Sequence, residues 1–191
     1  MREYFEIDVN AEEFRLFNRL LLSYNDFNQA YEVANELLEK NYYSNYPQNR
    51  TLVHALNLTV IVAYSRPFKI SRGQLALKRL PEEIISDFDS EQMKIHQQVL
   101  SDRDTMMAHS DADANNTIPH AYDMGHKRIL VPINSNPYAK PLIKGVMKKL
   151  AAMALDLQEK VFEMRMEIEP KIIDKLPLAD TAAETKHEKS N

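Results

Sequence analysis

The chain of 191 residues contains no cysteine and no tryptophan, and only three glycines. The absence of cysteine excludes disulfides and thiolate metal sites. So few glycines argue against a glycine-rich phosphate-binding loop. No apolar run reaches the length of a membrane span, and the N-terminal residues lack a signal-peptide pattern. We therefore expect a cytoplasmic protein with no membrane partner.

Acidic residues are absent from two long stretches, residues 41–80 and 124–155. Their basic residues are Arg50, Arg66, Lys69, Arg72, Lys78, Arg79, Lys127, Arg128, Lys140, Lys144, Lys148 and Lys149. Although the formal net charge is -4, such blocks can form a basic groove on an acidic protein. The alternative is a solvated surface that nearby acids balance.

Helical periodicity dominates four segments, residues 11–38, 51–64, 81–109 and 141–168. Asn10 is the predicted cap of the first, which is either one helix or two because residues 23–28 are polar. The second is apolar nearly all round, which predicts a central helix, although its β-branched run also suits a buried strand. Its end is predicted at Ser65, ahead of Pro67.

The third helical pattern starts near Pro81, with a break allowed at Ser86–Ser90. The last carries a heptad seam that Pro170 is expected to end. The residues of this seam are Ile143, Met147, Leu150, Ala154, Leu157, Val161, Met164 and Ile168. The seam predicts that the helix packs within the protein's own bundle or against a second copy.

Two short alternating segments, residues 4–9 and 129–133, predict strands that pair as a small ribbon. The rest of Ser110–Pro141 is predicted to be irregular. The fold class that we predict is therefore all-α, a helical bundle with a small two-stranded β-ribbon. Residues 1–174 form one domain in this interpretation, and residues 175–191 form a disordered tail.

The segment Arg103-Asp104-Thr105-Met106-Met107-Ala108-His109-Ser110-Asp111 closes the third helical pattern. On a helical wheel, Phe88, Ile95, Val99 and Met106 lie within about 20° of one line, and Arg103 and His109 lie about 60° to either side. Both polar residues thus border an apolar stripe, where an unused cation or imidazole is costly. The alternative is that Arg103 pairs with a carboxylate and His109 ends the helix.

The Ser110–Pro141 segment also carries carboxylates and imidazoles that suit a divalent metal, namely Asp111, Asp113, His120, Asp123 and His126. Their spacing matches no helix-borne ligand motif, so we expect neither a metal nor another cofactor.

The pattern Arg103-Asp104-x4-His109 resembles the signature of the HEPN superfamily of helical domains. The block Tyr64–Phe68, followed downstream by Ala108–Asp111, is similar to bacterial HEPN-like proteins. The resemblance covers residues 11–168. It implies a HEPN-like helical bundle that forms a homodimer, in which two copies of the motif face each other.

The resemblance further implies a metal-independent endoribonuclease, often a toxin or defence protein with an antitoxin or other protein partner. His109 would act as general acid or base and Arg103 would bind the phosphate, while Asp104 would orient a neighbouring group. RNA-binding residues in this interpretation are Arg66, Lys69, Arg72 and Ser110. The alternative is a non-catalytic HEPN-like module that binds a partner or a nucleotide.

Overall fold

The computed structural model of the protein describes residues 11–107, 117–134 and 141–175. Within these ranges the chain forms a bundle of four α-helices and one two-stranded antiparallel sheet, which confirms the predicted fold class. The elements are α1 (Glu12–Glu39), α2 (Tyr46–Ser65), α3 (Ser90–Met107), β1 (Thr117–Asp123), β2 (Arg128–Asn134) and α4 (Lys144–Ile172).

Helix α1 runs without interruption through residues 23–28, so the first helical segment is one helix. Ser23 and Phe27 are both fully buried, which keeps this polar stretch against the core. The N-cap is Ala11, one residue later than the predicted cap, and Asn10 lies outside the described residues.

The second segment forms helix α2 and not a buried strand. The predicted central position is wrong on its outer face, where Leu52 and Leu58 are 41% and 38% exposed. Pro47 lies in its first turn, where the missing N–H costs no helical hydrogen bond. The helix ends at Ser65, as predicted, and a 3₁₀ turn at Arg66–Phe68 follows. Its fully buried apolar side chains are Val53, Val60, Ile61, Ala63 and Tyr64.

The break that the sequence allows at Ser86–Ser90 is present: a 3₁₀ turn at Glu82–Ile85 comes first, and helix α3 then begins at Ser90. A capping box marks this start. Asp89 Oδ1 accepts hydrogen bonds from the backbone N–H groups of Glu91 and Gln92, each at 2.8 Å. In return, Gln92 Oε1 accepts one from the Asp89 N–H at 2.9 Å. This reciprocal arrangement satisfies N–H groups that the first helical turn leaves unpaired.

The apolar stripe of α3 faces the core, as its spacing predicts. Ile95 is 5% exposed and Val99 is fully buried. Phe88 packs against the same core from the segment ahead of the helix. The side chain of Met106 lies outside the described part of the structure.

Strand β2 confirms the strand predicted near residues 129–133, but it pairs with β1 in a hairpin. The predicted partner, residues 4–9, lies outside the described residues. The prediction of an otherwise irregular Ser110–Pro141 segment is therefore wrong over β1. Pro119 argued against a strand in the sequence, because proline has no backbone N–H for a sheet hydrogen bond. In the hairpin Pro119 lies opposite Pro132, and a two-stranded ribbon tolerates proline because both of its strands are edge strands.

The turn of the hairpin depends on Gly125, whose φ of 82° falls in the left-handed region. Its N–H donates to Asp123 Oδ1 at 2.8 Å. The Met124 N–H donates to the Lys127 carbonyl at 2.9 Å and closes the loop.

The seam of α4 packs inside the protein's own bundle, where Met147, Leu150 and Leu157 are fully buried. Its first member, Ile143, is exposed. Contrary to prediction, Pro170 does not end the helix, which continues to Ile172. A proline in the last turn removes one helical hydrogen bond, and burial of Ile172 offsets this loss.

The helices form one core, in which α1 packs along α4 and α2, and α3 packs on α2 and α4. In the part of the chain that the structure describes, none of the helices is both long enough and apolar enough to cross a membrane.

Candidate nucleic-acid site

An ion cluster joins the end of α3 to the segment that follows α2. Lys69 Nζ lies 2.6 Å from Asp104 Oδ2, and Arg103 Nη1 lies 3.0 Å from Asp104 Oδ1. The side chains of Lys69 and Arg103 are 27% and 29% exposed, so an anion can reach both. Two cations and one carboxylate give this cluster a net positive charge.

The neighbours of Asp104 favour its ionised form. The hydrogen bond from Lys69, followed by that from Arg103, holds the pKa of Asp104 below its ordinary value. The Nε group of Arg103 is buried and has no hydrogen-bond partner among the described residues. Arg103 is therefore positioned by one carboxylate, which uses one of its five N–H donors, while its side chain remains 29% exposed.

A buried imidazole lies two helical turns before Arg103 on α3. His96 is only 4% exposed, and its Nδ1 lies 3.1 Å from the Tyr64 hydroxyl of α2. The Phe68 ring contacts the imidazole edge to face, with ring centroids 4.6 Å apart. Burial, and then the positive charge of Lys69, lower the pKa of His96. The contact between Tyr64 and His96 holds α3 against the end of α2. Lys69 follows the 3₁₀ turn after α2 and reaches Asp104 on α3.

Arg66 belongs to a different contact. Its Nη1 lies 3.2 Å from Asp26 Oδ1, and its Nη2 donates to Gln29 Oε1. Burial raises the pKa of Asp26, and the charge of Arg66 opposes that shift. Arg66 therefore links α2 to α1, while its side chain remains 46% exposed.

The connector, defined as residues 69–80, is held against α1 and is not a loose basic loop. The buried Arg19 donates through Nε to the Leu77 carbonyl at 2.7 Å and through Nη2 to the Lys78 carbonyl at 3.2 Å. The Leu77 N–H donates to the Arg15 carbonyl at 2.9 Å. Arg72 is exposed on this fixed segment.

Three predicted site residues, Arg103, Asp104 and Lys69, are thus brought into direct contact. Arg66 and Arg72 lie on the same basic segment but outside that ion cluster. His109 and Ser110 fall outside the described residues.

Sequence reasoning missed the two features that organise the site. It did not pair His96 with Tyr64. It also assigned Lys69 to the RNA backbone and not to Asp104. The sequence does contain a signal for His96: it precedes Arg103 by seven residues, so both lie on the same face of the helix.

The alternative metal site has no support from the residues that the structure describes, among which no group of three ligating side chains occurs. Asp123 instead accepts the Gly125 N–H, and His126 is exposed. Asp111 and Asp113 lie outside the described ranges, as does the side chain of His120.

Comparisons of the chain with protein families, with curated proteins and with solved structures found no match.

Proposed function

We propose that the protein is a HEPN-like endoribonuclease that works without a metal ion, as a homodimer with a composite site. The observation that supports this most is the convergence of Lys69 and Arg103 on Asp104. It places two partly exposed cations, one of them a guanidinium, near the end of α3, and His109 follows Arg103 by six residues in the sequence. A phosphodiester suits such a group because Arg binds phosphate oxygens with two parallel hydrogen bonds.

The reaction that these groups suit is attack of the RNA 2′-hydroxyl on the adjacent phosphorus. The 2′-oxygen forms a bond to phosphorus and loses its proton to a base, while the bond to the 5′-oxygen breaks and that oxygen gains a proton. His109 is the residue proposed for these proton transfers, because an imidazole titrates near neutrality. Arg103, with Lys69 beside it, would stabilise the negative charge that develops on the phosphate oxygens.

The test is incubation of the purified full chain with a labelled single-stranded RNA in EDTA. We expect fragments that end in a 2′,3′-cyclic phosphate and begin with a 5′-hydroxyl. The same sequence with 2′-O-methyl groups should stay intact, because its attacking oxygen is blocked. Intact RNA under all conditions, or cleavage that requires a divalent ion, would contradict the proposal.

A second candidate is a non-catalytic module that binds a partner or a nucleotide. It is favoured by the fact that Arg66, Lys69 and Arg103 each contact a side chain of another element or a neighbouring carboxylate. In that case these residues anchor helices. The two candidates differ in the effect of Arg103→Ala, which would then lower stability without any cleavage to lose.

A further inference from the structure

The hairpin formed by β1 and β2 presents apolar side chains to solvent. Every described side chain in residues 121–130 is exposed. Leu130 is 69% exposed, and Tyr122 and Met124 are each 55% exposed. Ile129 adds a fourth bulky group at 38% exposure. These four large apolar side chains lie within ten residues, and such a concentration on the surface is typical of a region that contacts a partner.

Among the described residues, no third strand supports the hairpin. A two-stranded hairpin is at best marginally stable alone in water, and packing on another element is what stabilises it. In the described ranges the sheet contains these two strands only, so both outer edges are unpaired. A surface that covers its apolar side chains would therefore stabilise it.

The charge of the hairpin indicates which surface fits. Lys127 and Arg128 follow the turn, and Arg128 Nε lies 3.7 Å from Asp123 Oδ2. Both members of that pair are mostly exposed, so its contribution is small and another carboxylate can replace Asp123. The complementary surface is apolar with acidic edges.

The protein itself carries such a surface between α1 and α4. The groove has a volume of about 380 Å³ and is lined by Tyr24, Leu155, Gln158, Glu159, Phe162 and Glu163. None of these lining residues belongs to the hairpin.

Aromatic rings and a fixed amide shape this groove. The rings of Tyr24 and Phe162 lie 6.2 Å apart, and Phe162 is 42% exposed. Gln158 is buried and donates to Asn28 at 3.0 Å. The guanidinium carbon of the neighbouring Arg165 lies 4.8 Å from the centroid of the Phe162 ring. Glu159 and Glu163 are exposed acids in the lining.

We propose that the hairpin of one copy docks into the α1–α4 groove of a second copy, and that the exchange is reciprocal. Leu130 and Arg128 lie on one face of the ribbon, and Tyr122 and Ile129 lie on the other, because side chains alternate along a strand. In the docked arrangement Leu130 contacts Tyr24, Leu155 and Phe162, while Lys127 and Arg128 approach Glu159 and Glu163. Because each chain carries one hairpin and one groove, two such contacts close a twofold dimer and double the buried area. This inference goes beyond the proposed nuclease and does not depend on it.

Charge reversal tests the docking on the full chain by sedimentation equilibrium. The wild type should be a dimer at tens of micromolar. The double variants Lys127→Glu/Arg128→Glu and Glu159→Lys/Glu163→Lys should each raise the dimer Kd at least tenfold, since like charges oppose one another. Combining all four changes should restore the dimer. The matched control, Lys144→Glu/Lys148→Glu, changes exposed lysines elsewhere and should have no effect.

Cross-linking provides a second measurement, which removes one charge from each side of the proposed contact and reverses none. Because the chain has no cysteine, the pair Lys127→Cys/Glu163→Cys gives a clean background. Under mild oxidation it should form covalent dimers, whereas Lys148→Cys/Glu163→Cys should not.

Three results would overturn the proposal. They are a monomeric wild type, a dimer that neither charge reversal weakens, and a disulfide that forms within one chain. The last would mean that the hairpin covers its own groove. RNA cleavage is read separately, so failure of this proposal and failure of the proposed function are distinguishable.

Discussion

At the scale of single residues, His96 makes the stability of the protein depend on pH. Its pKa is lowered in the folded state, first by burial and then by Lys69. In the unfolded chain the imidazole has its ordinary pKa of about 6.5. Below that pH the unfolded state binds a proton that the folded state excludes. Stability from this residue is therefore complete above about pH 6.5 and falls as the pH drops.

The measurement is urea denaturation between pH 5 and pH 8, expressed as the free energy of unfolding. The slope that His96 contributes is at most about 1.4 kcal/mol per pH unit. His96→Gln should flatten the curve below pH 6.5. Parallel curves for wild type and His96→Gln would contradict the assignment.

Tyr64 supplies the second residue-scale prediction. Tyr64→Phe keeps the buried ring but removes the hydroxyl that lies 3.1 Å from His96 Nδ1. Leaving a buried polar nitrogen without its partner costs about 1–3 kcal/mol. Urea denaturation at pH 7.5 should detect this loss. Tyr122→Phe, which changes an exposed hydroxyl of the hairpin, is the matched control and should lie within about 0.5 kcal/mol of wild type.

At the scale of elements, α3 depends on its capping box. Asp89→Ala removes the carboxylate that accepts two backbone N–H groups, and should lower the free energy of unfolding by about 1 kcal/mol. Asp89→Asn should retain most of the stability, since the amide oxygen still accepts. A control change at the exposed Ser86 to Ala should have little effect. Equal stability of Asp89→Ala and wild type would show that the cap contributes nothing.

The helices could be predicted because their periodicity is a local property of the sequence. The buried residues Val99 and Leu157 lie where the repeats place them. The boundaries depended on side-chain contacts that periodicity does not report. The reciprocal hydrogen bonds of Asp89 and Gln92 fix the start of α3 at Ser90, within the break that the sequence allowed. Helix α4 continues past Pro170, where Ile172 is buried. Strand β1 was not predicted because it contains Pro119, and a proline in a short segment argues against a strand.

At the scale of the whole molecule, the helix order and the basic segment could be predicted, but the pairing of charges could not. The sequence places Lys69 and Asp104 35 positions apart. Only the packing of α2 on α3, fixed in part by Tyr64 and His96, brings them together. The same holds for Arg66, which contacts α1 through Asp26, a residue that sequence reasoning did not single out. The nuclease assignment itself stays a prediction.

The most direct test of that assignment is the single-turnover rate of RNA cleavage in EDTA for changes at Arg103 and His109. His109→Ala should lower the rate about 100- to 10,000-fold, as expected for loss of a positioned acid or base. Arg103→Ala should lower it comparably, and Arg103→Lys should not restore it because a lysine lacks the planar fork. Lys171→Ala, which removes an exposed cation near the end of α4, should cleave at the wild-type rate. If Arg103→Lys or His109→Ala cleaves as fast as wild type, these residues do not form the site.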